Sequence, residues 1–201
     1  MYKGNSSRVL PIILVLIVVA IVVAALVSIG RVIFGGGEGA VDQSQVDTGK
    51  QALLNTATDR SVQMTVRGPI VANEDFRSYR ITVDPLNRVM TTYAGYLEQP
   101  INNKSLDNNA QAYEQFVYAL DKANMINGEA FTGEKDDTRG ICATGRVYEF
   151  AVLQNGETVK RLWTSTCKGS PGSFRASVSQ VSNLFLDQVP DNKDLLKEID
   201  L

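Results

Sequence analysis

Residues 9–30 carry no charged side chain, and the run Ile12-Ile13-Leu14-Val15-Leu16-Ile17-Val18-Val19-Ala20-Ile21-Val22-Val23 is aliphatic around the whole helical circumference. A helix with no polar face cannot lie along a membrane surface or cap a soluble core. At about 1.5 Å per residue the stretch covers the roughly 30 Å hydrocarbon layer, where the helix is favoured because it pairs every backbone group internally. Pro11 falls in the first turn, where its missing N–H matters least. This predicts a short N-terminal segment over 1–8 and a transmembrane anchor over 9–34.

Ser28 and Gly30 before Arg31 offer the small residues of a signal-peptidase site. The apolar run nevertheless exceeds the about 7–15 residues of a cleaved signal core, which favours an uncleaved signal anchor. No cysteine follows closely enough to carry a lipid. Lys3 and Arg8 precede the run, while Arg31 alone follows it before Glu38, Asp42 and Asp47. The positive-inside rule then places the N-terminus in the cytoplasm and the remainder outside the cytoplasmic membrane.

Gly35-Gly36-Gly37-Glu38-Gly39 opens a polar, apolar-poor stretch over 35–47 that reads as a flexible tether. The stretch 48–190 has the size of one domain, and 191–201 reads as an acidic C-terminal tail. With 20 basic against 22 acidic residues, the chain lacks the strongly basic balance of a nucleic-acid binder. It also has no histidine, which removes the commonest general base and zinc ligand and every imidazole triad. Two cysteines, Cys142 and Cys167, cannot form a tetrahedral thiolate site, so neither a metal nor a cofactor is expected.

Within the domain, a short helix is expected over 50–57. Val62, Met64 and Val66 alternate with polar residues, as do Tyr79, Ile81 and Val83 before the turn at Asp84-Pro85-Leu86-Asn87, with a return strand over 88–93. Tyr113, Phe116, Val117 and Leu120 then recur at helical spacing, ahead of Gly128. The plan repeats: Tyr148, Phe150 and Val152 alternate up to Asn155-Gly156, a strong hairpin signal, and a helix carries Val178, Val181, Leu184 and Phe185. Tyr79-Arg80-Ile81-Thr82-Val83 aligns with Tyr148-Glu149-Phe150-Ala151-Val152, which reads as a tandem strand-strand-helix repeat. The expected fold is α+β, a mostly antiparallel sheet with two helices packed on one face.

A two-residue turn at Asn155-Gly156 sets Val152 opposite Val159 and Tyr148 opposite Trp163. Cys142 then falls near Cys167 on the Trp163 face, so a disulfide packed against the indole is expected, together with an oxidising compartment. Between residues 139 and 175, Arg139, Arg146, Lys160, Arg161, Lys168 and Arg175 outnumber Glu149 and Glu157. These six are the candidate contacts to an anionic surface, either lipid headgroups or an envelope polymer; otherwise they form an ordinary solvated hairpin. Glu134, Asp136 and Asp137 lack the spacing and glycine of a calcium loop. No Gly-x-Ser-x-Gly or Ser-x-x-Lys motif activates a serine. Asn103-Lys104-Ser105 has the form of a glycosylation sequon.

Trp163-Thr164-Ser165-Thr166-Cys167, Leu184-Phe185 and Val189-Pro190, behind a short basic N-terminus and one anchor, resemble small single-pass membrane proteins of reduced-genome, candidate-phylum bacteria. The resemblance implies a cell-envelope protein and transfers no catalytic residue. The leading expectation is a non-enzymatic binding or assembly module, tethered to the bilayer and facing an envelope protein or anionic polymer. Two alternatives stand beside it. One is an envelope hydrolase or transferase using carboxylates such as Glu149 or Asp136, and the other a structural subunit of an envelope machine.

Overall fold

The computed structural model describes residues 48–201, so the N-terminal segment, anchor and tether expected over 1–47 lie outside the described residues. Among the described residues no helix is long and apolar enough to cross a membrane. The chain forms α1 (Thr48–Leu54), β1 (Arg60–Arg67), β2 (Arg77–Val83), β3 (Asn87–Ala94), β4 (Gln99–Asp107), α2 (Ala110–Lys122), β5 (Val147–Gln154), β6 (Glu157–Ser165), α3 (Val178–Leu186) and α4 (Asn192–Ile199). The six strands make one antiparallel sheet in the order β4-β3-β2-β1-β5-β6, an α+β fold as expected.

Alternation decides the two faces of this sheet. Val62, Met64 and Val66 of β1 point to one side with Ile81, Met90, Phe150 and Leu162, and all are buried in the main core. Four helices close that side through Leu53, Phe116, Phe185 and Ile199: the two expected to pack there, the short helix expected at the start of the domain, and α4, which was not expected. Phe116 meets Phe185 edge to face at 5.3 Å between centroids. Capping fixes where the longer helices begin: the side chain of Asn109 accepts from Ala112 N–H at α2, and that of Ser177 from Gln180 N–H at α3. Each such cap stabilises by about 1 kcal/mol.

The segment expected as an acidic tail includes α4. Its Ile199 is buried in the core, with Leu195, Leu196 and Leu201 packed beside it. Left-handed residues at Asp191 and Asp200 bracket the helix, and Lys104 of β4 pairs with Asp191 at 3.4 Å. The acidic residues of this segment sit on the solvent side of an amphipathic helix, which explains why composition alone reads it as a tail.

The two segments that align in the sequence flank β1 at the same register. Tyr79 and Tyr148 both oppose Val66, Ile81 and Phe150 both oppose Met64, and Val83 and Val152 both oppose Val62. Around this shared centre the halves differ, since four strands precede α2 and only two lie between α2 and α3.

The second hairpin departs from the expected pairing. Asn155 and Gly156 form the turn with φ of 52° and 80°, and Leu153 opposes Thr158 as a two-residue loop requires. A bulge between Val152 and Leu153 then shifts the register by one. Val152 consequently faces Lys160, not Val159, and Tyr148 faces Thr164, while Trp163 faces Glu149. One extra residue moves Trp163 to the side of the sheet opposite Tyr148, Phe150 and Val152.

On that opposite side Trp163, Val147 and Cys142 form a second small core with Phe131, Ile141 and Cys167. Cys142 and Cys167 are disulfide-bonded with Cα atoms 5.4 Å apart and lie beside Trp163 as expected, although the face they share with it is the one away from Tyr148 and Val152. Gly172 makes the packing feasible: with φ +68°, its backbone lies where a Cβ would stand 2.1 Å from Trp163 O and 2.7 Å from the indole ring. Ser173 and Phe174 N–H both donate to Trp163 O, so this strap seals part of the outer edge of β6.

Candidate functional site

The face of the sheet away from the helices is floored by polar side chains, because the outward positions of an alternating strand are the polar ones. Gln63, Thr65 and Arg67 come from β1, Ser78 and Arg80 from β2, Glu149 and Ala151 from β5, and Thr158 and Arg161 from β6. Walls rise around them. The β1–β2 loop contributes Ile70 and Phe76, the β3–β4 turn Tyr96 and Glu98, and the long connection from α2 to β5 contributes Thr138, Arg139 and Gly140. Together they enclose a cleft of about 570 Å³. That volume suits a small ligand or one unit of a polymer.

Each wall is fixed by an identifiable bond. Ile70 N–H donates to Ala143 O at 2.8 Å, joining the first and third walls at one end of the cleft. The Tyr96 ring stacks on Phe76 at 4.2 Å, and its hydroxyl donates to Val71 O at 2.6 Å. The connection from α2 is pinned by the disulfide immediately beyond Ile141, and Gly145 lies so close that a Cβ there would stand 2.8 Å from the Cys142 sulfur.

Four arginines and two glutamates line the cleft, and the arginines are held differently. Arg161 bridges two carboxylates, donating to Glu149 Oε2 at 2.9 Å and Asp136 Oδ2 at 2.8 Å, while Thr138 Oγ1 donates to Glu149 Oε1 at 2.8 Å. Burial lowers the pKa of this guanidinium, but the two carboxylates outweigh it and the net direction is upward. Arg80 forks onto Glu98, with contacts of 3.1 and 2.9 Å, and lies 5.3 Å over the Tyr93 ring. Arg139, at the solvent edge, chelates Asp137 and holds its carboxyl down at about 2.

Arg67 is the exception. Its guanidinium donates to the main-chain oxygens of Thr138 and Ile141 and, among the described residues, forms no carboxylate hydrogen bond. Burial pulls its pKa below the ordinary arginine value, opposed by the field of Glu149. Directly opposite Arg67 in the β1–β2 register stands Ser78, only 3% exposed, whose hydroxyl has no hydrogen-bond partner among the described residues. A half-buried cation and a buried hydroxyl, neither with an ion or hydrogen-bond partner among the described side chains, therefore lie side by side on the cleft floor.

The six basic positions singled out in the sequence do not converge. Arg139 and Arg161 line the cleft. Arg146 borders a second cavity of about 540 Å³ on the helix side, between α3, α4 and the strand ends. Lys160 opposes Val152, on the face away from Arg161. Lys168 is exposed beyond β6, and Arg175 donates to Gly172 O and Phe174 O within the strap. Asp136 and Glu149, named as candidate catalytic carboxylates, are brought together on Arg161.

Sequence reasoning missed Arg67, Ser78, Arg80, Glu98, Phe76 and Tyr96. The available signal was the polar row of the first hairpin, where Arg67 and Arg80 alternate with buried residues on strands that pair directly. Among the described residues no cluster of acidic and cysteine side chains is arranged to hold a metal ion. Compared with known proteins, the chain matches no protein-family model and no curated sequence. What the fold and cleft define is a class: a sheet whose face away from the α-helices carries a walled, arginine-rich recess.

Proposed function

We propose that the chain is a membrane-tethered, extracytoplasmic binding module of the cell envelope, with the sheet-face cleft as its ligand site. The observation that carries the reading is the cleft itself. Side chains from four strands and three connections converge on it, and before any ligand arrives Arg80, Arg139 and Arg161 are held by ion pairs and Arg67 by main-chain oxygens. Preorganised polar groups of this kind reduce the ordering cost of binding. Asp136 and Glu149 are both engaged by Arg161, which supports recognition over carboxylate hydrolysis.

Tethering is supported by the uncharged run over 9–30, and extracytoplasmic placement by Lys3 and Arg8 before it and by the Cys142–Cys167 bond. The polymer-facing role expected of the basic residues passes to Arg139 and Arg161 together with Arg67 and Arg80.

The test fills the cleft. Thr65 sits at the centre of its floor, between Arg80 and Glu149 in register, and Thr65→Trp places a bulky ring there. Detergent-solubilised full-length protein should co-sediment with isolated cell envelopes, and the variant should not while keeping the wild-type circular dichroism. Equal sedimentation of both would remove the cleft from the function. Protease added to intact spheroplasts should digest the domain, and protection would reverse the topology.

A further inference from the structure

We propose that the pair Arg67 and Ser78 is a carboxylate subsite, and that the cleft takes an acidic saccharide, a uronic-acid unit of an envelope glycan. This rests on the cleft being the ligand site and adds what the ligand is. Arg67 and Ser78 are direct cross-strand partners, so their side chains share one face at neighbouring positions. Two guanidinium hydrogen bonds hold Arg67 to Thr138 O and Ile141 O, which sets its orientation and leaves its charge without a carboxylate hydrogen-bond partner. Ser78 is buried with an unpaired hydroxyl at the same place. Buried polar groups are almost always paired, so a cation held only by main-chain oxygens beside an unpaired buried hydroxyl, both lining the cleft, fit an anion that accepts from both once a small side-chain shift admits it.

The chemistry of that anion is set by its surroundings. One open guanidinium, with Glu149 contributing an opposing field, suits a singly charged carboxylate better than a phosphate carrying nearly two charges. The remaining groups occur as fixed donor–acceptor couples, Arg80 with Glu98 and Arg161 with Glu149, which can give and take hydrogen bonds with adjacent hydroxyls of a sugar ring. Tyr96, backed by Phe76, offers an apolar flank for the carbon-bound hydrogens of the ring. A peptide is less suited, because extended peptides bind sheet edges through backbone pairing and this recess lies on a sheet face.

The experiment is isothermal titration of trigalacturonate, with maltotriose as its uncharged counterpart, into detergent-solubilised full-length protein. Trigalacturonate should bind at least about tenfold more tightly than maltotriose, the scale of a lost charge-assisted contact. Ser78→Ala should weaken trigalacturonate about three- to tenfold while leaving the melting temperature equal or higher, since it removes an unpaired hydroxyl. Arg67→Lys, which keeps charge and loses the fork, should weaken it by at least about tenfold. Equal affinity for the two saccharides, no detectable trigalacturonate binding, or unchanged binding by both variants would overturn the subsite. Tighter capture of a free peptide carboxyl terminus, probed with Ala-Ala-Phe, would overturn the saccharide assignment. If trigalacturonate fails while Thr65→Trp still releases the protein from envelopes, the ligand class falls and the cleft stands; if that variant sediments normally, both fall.

Discussion

Replacing Cys142 and Cys167 together by alanine should lower stability by about 3.5 kcal/mol, a loss that comes from chain entropy. The bond joins positions 25 residues apart. In the unfolded chain, releasing a loop of that length restores roughly 12 cal/mol/K of configurational entropy, or about 3.5 kcal/mol at 25 °C. The lost sulfurs themselves are small, and alanine leaves Val147 and Trp163 most of their packing partners. For a domain of this size each kcal/mol moves the melting temperature by roughly 2–4 °C, which predicts a fall of about 7–14 °C. Calorimetry of the oxidised protein and the double variant at equal protein and detergent concentration reads this directly. The variant should also exchange backbone amides faster around Thr138 and Ile141, because their carbonyls hold Arg67 and the bond pins the segment that carries them. A fall below about 3 °C would refute the entropic reasoning. Unchanged exchange around Thr138 would refute the link to the cleft.

Trp163→Ala should cost about 3–5 kcal/mol, measured by urea denaturation, because the indole is 4% exposed in the second core; a loss under about 1 kcal/mol would place it outside any core. Gly172→Ala should destabilise by more than the about 1 kcal/mol of a left-handed backbone penalty alone, since its Cβ would also strike Trp163, and wild-type melting would contradict the packing. The Asp137 carboxyl should titrate at about 2 by NMR and return toward its ordinary value in Arg139→Ala. Because the folded pKa is depressed, the stability this pair adds is present above about pH 4 and is lost as pH falls toward 2; an unshifted titration would show that the pair does not form in solution.

Comparing sequence with structure, the strands with strong alternation, β1, β2 and β5, were legible because each buries one face against the same core. β4 was not. Gln99–Asp107 contains Pro100, Asn102 and Asn103, residues depleted in strands, and it pairs only because β3 offers an open edge beside it. The turn at Asn155-Gly156 could be read from two residues, whereas the bulge beyond it depends on how β5 and β6 twist in the finished sheet and leaves no local mark. The cysteine pair survived that error because the approach to β5, outside the strands, brings Cys142 to Cys167. The cleft was hidden for a different reason. Arg67 and Ser78 look like any solvated strand residues until the β1–β2 register sets them side by side and the chain from α2 folds over them.

The central position of β1 has a consequence for the order in which the molecule is made. Synthesis releases β1 to β4 first, and these can close as a local meander with short connections. After β4 is complete, β1 waits about 40 further residues for β5, exposing a hydrogen-bonding edge in the interval. Val62, Met64 and Val66 alternate along that waiting edge, which stays open to another nascent copy until β5 arrives. The half-made protein is therefore more prone to self-association than the finished one, and its yield should fall when synthesis outpaces folding or chaperone capture.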